Sequence, residues 1–375
     1  MREFDVAIIG AGIAGASLAY RLAGRRSVLL LEREAQPGYH STGRSAAMFM
    51  ESYGPPGVRA LTRASRAFYE QPPREFAAGR ILSPRGVLYL ATNGQQALLE
   101  ALHDELAGGG MPIETVAAEE AFARVPCLKP DVVHGALFER DAQDIDVNAL
   151  HQGFLRGARR DGAELRVDAQ LAAATRTGDL WTLRLADGAT VRARSVVDAA
   201  GAWADEVAAL CGVAPVGLVP HRRSAFTFKP PEGVDASRWP AVVGVDESYY
   251  FKPDAGQLLG SPANADPTQP HDVVPEELDI ALGIHQIEAV TTLSIRRPAS
   301  TWAGLRSFVR DGEMVIGWDD ARDGFFWLAA QGGYGIQSAA GASELAAALL
   351  CGEPLPAELA RHGVDPRTVA PQRLR

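Results

Sequence analysis

The chain opens on a short unbroken apolar run, Val6-Ala7-Ile8-Ile9, of the kind required by a parallel strand buried on both faces. Gly10 ends it. From Ile13 to Leu22 small and apolar residues return at helical spacing, Ala16, Ala19 and Tyr20 among them, and Val28 to Leu31 is a second buried strand. Strand, turn, helix and strand in this order predict a βαβ unit.

Beyond it the pattern changes several times. Gln36 to Ala47 is rich in Gly, Ser and Thr; Pro55 to Glu75 is a polar helical stretch; Leu82 to Ala91 turns to strand, and the pattern stays mixed to Asp141. Asn148 to Asp161 predicts a helix with Asp146 as its N-cap, Leu165 to Leu185 two or three strands, and Ser195 to Ala199 one more. Val216 to Trp318 carries many short β-like runs, such as Ser224 to Phe228, Tyr249 to Lys252 and Met314 to Ile316, separated by Pro, Gly, Asn and Asp. A largely antiparallel sheet is expected there. Phe325 to Ala330 is a strand, Gln331 to Gly335 a glycine-rich turn, and Ser338 to Leu350 an Ala-rich helix.

Strand-turn-helix units at both ends thus enclose sheet-like insertions. The expected fold class is α/β: a discontinuous Rossmann-like nucleotide-binding domain from residues 1–75, 142–215 and 325–375, and a second, α+β domain from 76–141 and 216–324 on a largely antiparallel sheet. A chain of 375 residues exceeds what one core usually organises, which agrees with two domains.

Charge and cysteine content narrow the classes of function. With 46 acidic and 37 basic residues the formal charge is −9, which disfavours binding to a phosphate backbone, so no nucleic-acid partner is expected. Cys127, Cys211 and Cys351 are odd in number and far apart, a pattern of buried thiols in a reducing compartment rather than of disulfides; no metal site is expected either. No run approaches the roughly 18 apolar residues of a membrane span. Val6 to Ala19 resembles a signal-peptide core, but Glu3 and Asp5 precede it and its glycines have another use. A cytoplasmic location is expected, with peripheral attachment at the inner membrane face left open.

That use is Gly10-Ala11-Gly12-Ile13-Ala14-Gly15, a GxGxxG loop between a buried strand and a helix, with Glu32 ending the second strand about 20 residues on. In such a loop Gly10 permits the tight turn, Gly12 lets a pyrophosphate reach the backbone, and Gly15 permits close helix–strand packing. The helix N-terminus offers free N–H groups to the phosphates. Glu32 accepts from ribose hydroxyls and repels a 2'-phosphate, which disfavours NADP.

Three further segments select FAD over NAD. Gly38 to Ala47 lets backbone pass close to a second large moiety, with His40 and Arg44 as candidate contacts. Val196 to Trp203 is a buried strand ending in small residues, and Gln331-Gly332-Gly333-Tyr334-Gly335-Ile336-Gln337 would aim another helix N-terminus at the electron-rich edge of a flavin.

Together with Arg222 to Phe226, Leu258 to Asp266 and Thr301 to Phe308, these segments resemble the D-amino-acid oxidase (DAO) family of flavoenzymes, and within it the bacterial D-arginine dehydrogenases, along essentially the whole chain. The resemblance implies a DAO-type (GR2) fold and noncovalent FAD with the amino acid over the flavin face. Cofactor contacts fall at Gly10, Gly12, Ile13, Ala14, Gly15, Glu32, Arg33, Ser41, Thr42, Arg44, Ser45, Ala46, Ala47, Leu171, Ala200, Gly201, Trp203, Arg306, Gly332, Gly333, Tyr334, Gly335, Ile336 and Gln337. It implies a carboxylate clamp of Arg223, Arg306, Tyr53 and Tyr250. The residues themselves agree for Arg306, a guanidinium in apolar company that needs an anionic partner; beside Arg223, Arg222 is an alternative.

One departure bears on the substrate. In D-arginine dehydrogenases an acidic residue follows the Leu-Ser-Pro-Arg segment; here Leu82-Ser83-Pro84-Arg85-Gly86 is followed by Val87, and Met48 stands where those enzymes carry a histidine. With Met50 and Tyr249 these residues make an expected side-chain pocket that is apolar. The expected reaction is oxidation of a D-amino acid by hydride transfer from Cα to flavin N5, then hydrolysis to a 2-oxo acid and ammonia. The electrons pass on to a quinone, another carrier or oxygen. Glycine, N-methyl or cyclic amino acids and 2-hydroxy acids are the alternative substrates, and a nucleotide-binding protein without catalysis the alternative class. No His or carboxylate base stands out for the amine proton, which leaves water, a tyrosine or direct binding of the neutral amine.

Overall fold

In the computed structural model, which describes residues 2–375, two large sheets carry the molecule. The first has a parallel centre. Glu3–Ile9 lies between Thr190–Asp198 and Val28–Leu31, so that Ile8 is flanked by Val197 and Leu30; Glu164–Arg166 and Phe325–Ala329 extend the parallel set at its two edges. Its apolar runs face both ways, as buried parallel strands must. Val6, Ile8 and Leu30 pack under the helices Ile13–Leu22, Pro56–Glu70, Val147–Arg160 and Gly335–Cys351, while Ala7, Ile9 and Leu29 pack against the hairpin Leu171–Thr177 and Leu180–Leu185.

The second sheet has nine strands, antiparallel except where Val87–Thr92 runs parallel to Ala241–Gly244. One face is filled by Leu88, Leu90, Phe226 and Phe251 under the helix Glu277–Val290. The other turns toward the first sheet and carries the site. A small third sheet of Met48–Phe49, Leu82–Pro84 and Gln143–Ile145 joins them.

The expected helix after Asp146 forms, and the Asp146 carboxylate accepts from the Ala149 N–H at 2.7 Å. The strand around Met314 to Ile316, expected in the second domain, instead pairs as Val315–Trp318 with Phe325–Ala329 in the first sheet. The Val216 to Trp318 stretch also contains a 14-residue helix, Glu277–Val290. Its weak amphipathic pattern hides it: Leu278 and Leu282 are exposed, and only one narrow stripe with Ile280 and Ile287 is buried. Among the described residues no helix is long and apolar enough to cross a membrane.

Candidate active site

Three adjoining cavities form one trench across the edges of both sheets. The first, of about 880 Å³, begins at Glu32, Leu171 and Trp203; the second, of about 870 Å³, passes Gly12, Thr42, Gly201 and Gly332; the third, of about 830 Å³, ends among Met48, Tyr53 and Tyr89. Gly12, Ser41 and Thr42 border the first two, and Ser45, Ala46, Arg306 and Gly333 the last two.

At the Glu32 end each glycine has a distinct constraint. Gly10 sits at φ +100°, and a Cβ there would lie 2.4 Å from the Ala199 carbonyl oxygen. A Cβ on Gly15 would lie 1.9 Å from the Gly10 oxygen, whereas one on Gly12 would meet only Thr42 Oγ1, at 3.2 Å, and otherwise project toward the trench that Gly12 lines. The first two shape the turn; the third keeps the space open. Buried Glu32 accepts from the Ala11 N–H at 2.9 Å and the Glu34 N–H at 3.0 Å, one bond per carboxylate oxygen, so each oxygen keeps a lone pair for a hydroxyl. Arg33 lies over the Trp203 ring at 4.8 Å, and His40 packs on that ring while its Nε2 contacts the Glu34 carboxylate at 2.9 Å.

Two helix N-termini without side-chain caps open on the trench. At Gly12 the Ile13 N–H donates to Thr42 Oγ1 at 3.0 Å; at Tyr334 the helix Gly335–Cys351 begins, and Gly335 and Ile336 line the trench. A carboxylate, then a partial positive end, then a second one is the donor set that ribose, pyrophosphate and the flavin edge require. The trench fits FAD. Arg44 lines the trench, and its guanidinium bonds the carbonyls of Val273 and Ala303 and the Asp272 carboxylate, tying the loop to the second sheet. Gln337 lines the far cavity, but its amide donates to the carbonyls of Met50 and Tyr53 and to Thr62, and so holds the loop bearing Tyr53.

Strand pairing assembles the anion clamp. Val219–Phe228 pairs antiparallel with Ser300–Phe308, placing Arg223 opposite Gly304 and Arg306 opposite His221. The two arginines are therefore diagonal neighbours on one face, and a Cβ on Gly304 would meet only Arg44, at 3.4 Å. Arg222 lies on the opposite face, where Asp279, Asp266 and Glu276 take its charge. Alternation thus selects Arg223. Both Arg223 and Arg306 line the trench, and among the described residues neither has a carboxylate within ion-pairing distance: Arg223 bonds the Asn264 carbonyl and Arg306 the Tyr53 hydroxyl at 3.0 Å. Burial and the adjacent Arg306 push Arg223 down to about 10. Burial opposes the Arg306 charge too, but the phenols of Tyr53, Tyr250 and Tyr334 hold its pKa above the ordinary arginine value. Two half-buried like charges without an anion are costly; the arrangement calls for a carboxylate. Tyr250 lines the same cavity, and Tyr53 stands edge-on to Tyr334.

Beyond the clamp the third cavity is walled by Met48, Met50, Ala241 and Val243, with Tyr89, Glu247 and Lys252 as polar members. Lys252 is buried and neutralised by Asp144 at 2.7 Å. Glu247, in the left-handed region at φ +55°, contributes an acid that the sequence pattern does not single out. Two expected wall residues lie elsewhere. Val87 is wholly buried behind Met50, Tyr89 and Ala241, and Tyr249 points to the other face of the sheet among Leu88 and Phe251. Alternation explains Tyr249, since Tyr250 takes the cavity face; Val87 shares the face of Tyr89 but is covered by its neighbours.

Several supporting groups escape a reading by motif because sequence-distant partners define them. His151, on a helix, donates from Nε2 to the Ala11 carbonyl at 2.8 Å behind the glycine loop; burial lowers its pKa and keeps it neutral. Asp198, fully buried and with its pKa raised by that burial, accepts from the Ala200 N–H at 3.1 Å and braces the turn to Gly201 and Trp203. Glu139, Ser52 and Tyr89 form a buried chain beside the third cavity.

A Rossmann-like sheet with a βαβ dinucleotide loop, joined to an antiparallel sheet that presents an anion clamp along the same trench, defines a flavin-dependent oxidoreductase. Residues 5–349 match the FAD dependent oxidoreductase family, DAO, and the chain belongs to it; its cofactor is FAD. Among curated proteins it is 28% identical over 281 residues to the tRNA 5-methylaminomethyl-2-thiouridine biosynthesis bifunctional protein MnmC of Burkholderia vietnamiensis, an alignment covering 73% of this chain and 41% of that one. It is 25% identical to the mitochondrial dimethylglycine dehydrogenase of Rattus norvegicus, over 69% of this chain and 30% of that one. The chain thus spans well under half the length of these relatives. In fold it is similar to glycine oxidase from Geobacillus kaustophilus (TM-score 0.84, 23% identity, 97% of this chain and 99% of that one). L-Proline dehydrogenase from P. horikoshii is similar in the same way (TM-score 0.84, 19% identity, 99% and 98% covered).

Proposed function

We propose that the protein oxidises an α-amino acid at its Cα–N bond, giving an imino acid that water hydrolyses to a 2-oxo acid and ammonia, and that its substrates are D-amino acids with apolar side chains. The observation that carries this reading is the pair Arg223 and Arg306: two half-buried guanidinium groups, unneutralised by carboxylates among the described residues, on the wall shared by the flavin trench and the third cavity. FAD, when bound, supplies a two-electron acceptor for the Cα hydrogen as hydride.

The protein supplies position. The guanidinium groups fix the carboxylate from one side, Tyr53 is itself fixed by Arg306, and the substrate side chain extends among Met48, Met50 and Val243. Such orientation is the main resource of a site with no covalent chemistry of its own. The D configuration rests on resemblance to the D-arginine dehydrogenases, and the apolar preference on the methionines. Glu247 at the wall leaves room for a polar tip on a longer side chain.

A second reading takes N-methyl or other N-substituted amino acids. It is favoured by the two curated relatives, one named for dimethylglycine and the other for a methylaminomethyl group. The test is anaerobic bleaching of the holoenzyme flavin by a panel of D-amino acids, L-amino acids, N-methyl amino acids and 2-hydroxy acids. Fastest reduction by D-methionine, D-leucine or D-phenylalanine supports the first reading, reduction by sarcosine or dimethylglycine alone supports the second, and bleaching by hydroxy acids but no amine overturns both.

A further inference from the structure

We propose that Tyr89, Ser52 and Glu139 form a proton relay that takes the substrate ammonium proton from the third cavity to a buried carboxylate near the surface. The inference rests on the amine-oxidation reading above. It supplies the base that the motif reading lacks.

The geometry gives both the path and its direction. Tyr89 belongs to Val87–Thr92 and lines the cavity that the arginines border; its hydroxyl is 2.6 Å from Ser52 Oγ. Ser52 Oγ in turn donates to Glu139 Oε2. Because Ser52 spends its proton on Glu139, Tyr89 donates to Ser52, leaving the phenolic lone pairs free to accept from the cavity. All three residues are at least nine-tenths buried, so water does not compete for these bonds. Glu139 also borders a second, outward-facing cavity with Glu51, Arg66, Glu70 and Asp141, which gives the proton a way out.

The charges facing the chain are few. Arg66 is already paired with Glu51 at 2.5 Å and Glu70 at 3.1 Å, so among the described residues no free cation holds Glu139 ionised, and its burial raises its pKa toward the range of a useful acceptor. The cavity that Tyr89 lines also holds Arg223, Arg306 and Lys252, the last paired with Asp144; burial, and then Glu139, Glu247 and Tyr53, raise the phenol far above its ordinary value, which makes it a conduit rather than a store of charge. In the step, an ammonium N–H bond breaks and its proton joins the Tyr89 oxygen as the Tyr89 proton moves to Ser52 and the Ser52 proton to Glu139. No electrons change hands, and the neutral amine that remains is the form from which Cα can give up hydride.

Glu139 also accepts from the Glu51 N–H at 2.8 Å, so a purely structural role must be separable. Glu139→Gln keeps one acceptor oxygen, enough for the Glu51 N–H, and turns an NH2 toward Ser52, so it cannot take the proton; Tyr89→Phe keeps the ring and breaks the path. The experiment follows anaerobic flavin reduction by stopped flow from pH 6 to 10, using the fastest amine of the panel, with pyruvate binding as a control because a 2-oxo acid has no amine. Expected are unchanged pyruvate affinity and a limiting reduction rate roughly 100-fold lower at neutral pH in both variants, as for loss of a general base. The variant rates should climb tenfold per pH unit and converge on the wild type where the substrate ammonium loses its proton in solution. Infrared difference spectra on amine binding should show a new protonated-carboxyl band in wild type and none in Glu139→Gln. Superimposable pH profiles in all three proteins overturn the relay alone; failure of any amine to bleach the flavin overturns the underlying reading as well.

Discussion

Replacing Arg306 by Ala separates a substrate clamp from a structural cation, because the two roles predict opposite stabilities. Among the described residues Arg306 hydrogen-bonds only the Tyr53 hydroxyl, and its charge acts on a second half-buried arginine, Arg223. A guanidinium aimed at a carboxylate donates two charge-assisted hydrogen bonds of about 1.5–3 kcal/mol each. With Arg223 left to hold part of the anion, the net loss is roughly 3–4 kcal/mol, or a few hundred-fold in affinity. Pyruvate binding, read from the flavin absorbance, should weaken by that factor, and KM for the best amine should rise with it. The ligand-free variant should melt no lower than the wild type, since the change removes one of two like charges from a half-buried face. A pyruvate affinity within threefold of wild type, or a markedly lower melting temperature with unchanged affinity, refutes the clamp and leaves Arg306 a scaffold residue.

Other substitutions probe the remaining parts of the trench. Gly15→Ala, whose Cβ would lie 1.9 Å from the Gly10 oxygen, should fail to yield folded holoenzyme, whereas Gly12→Ala, with only Thr42 Oγ1 at 3.2 Å, should fold and release FAD on ultrafiltration. Val87→Glu should lower the melting temperature without gaining D-arginine activity, because Val87 is wholly buried and directly opposite Glu139; Met48→Glu, on the cavity wall, should gain D-lysine or D-arginine turnover, and the reverse pattern would move the side-chain pocket. Arg223 has its pKa depressed to about 10 by burial and then by Arg306, so pyruvate affinity should hold below that pH and fall above it as the guanidinium loses its proton. In Arg306→Ala the break should move to higher pH, and a break that stays in place removes Arg306 as its cause.

What the sequence makes legible follows from how far apart the cooperating residues are. The dinucleotide loop is local: the turn at Gly10, the helix from Ile13 and the acid at Glu32 all lie within one βαβ unit, and each keeps its expected place. The helix Glu277–Val290 hides because its buried stripe is narrow, and Val315–Trp318 changes sheets because its partner, Phe325–Ala329, lies after a turn that the strand pattern alone does not reveal. Arg44 illustrates a different limit. A loop arginine beside a flavin segment suggests a phosphate contact, but the acceptors that claim it, Asp272, Val273 and Ala303, are more than 220 residues away.

The substrate end depends on register, and register is a property of paired strands rather than of either strand alone. Once Val219–Phe228 is set against Ser300–Phe308, the parity of Arg222 and Arg223 decides which one faces the trench. The same logic moves the expected acid. The chain has no carboxylate at Val87, but antiparallel pairing sets Glu139 directly opposite it, and two residues along the strand Tyr89 reaches the cavity that Glu139 does not. A carboxylate one strand removed, joined to the cavity through Tyr89 and Ser52, is placed too deep to pair with a cationic side chain yet is well connected to take a proton. Loss of the acid at Val87 therefore bears on side-chain preference, while the buried acid beside it bears on the amine, and the two effects should separate: Met48→Glu should change which amino acid is used without moving the pH profile, and Glu139→Gln should move the profile without changing the order of substrates.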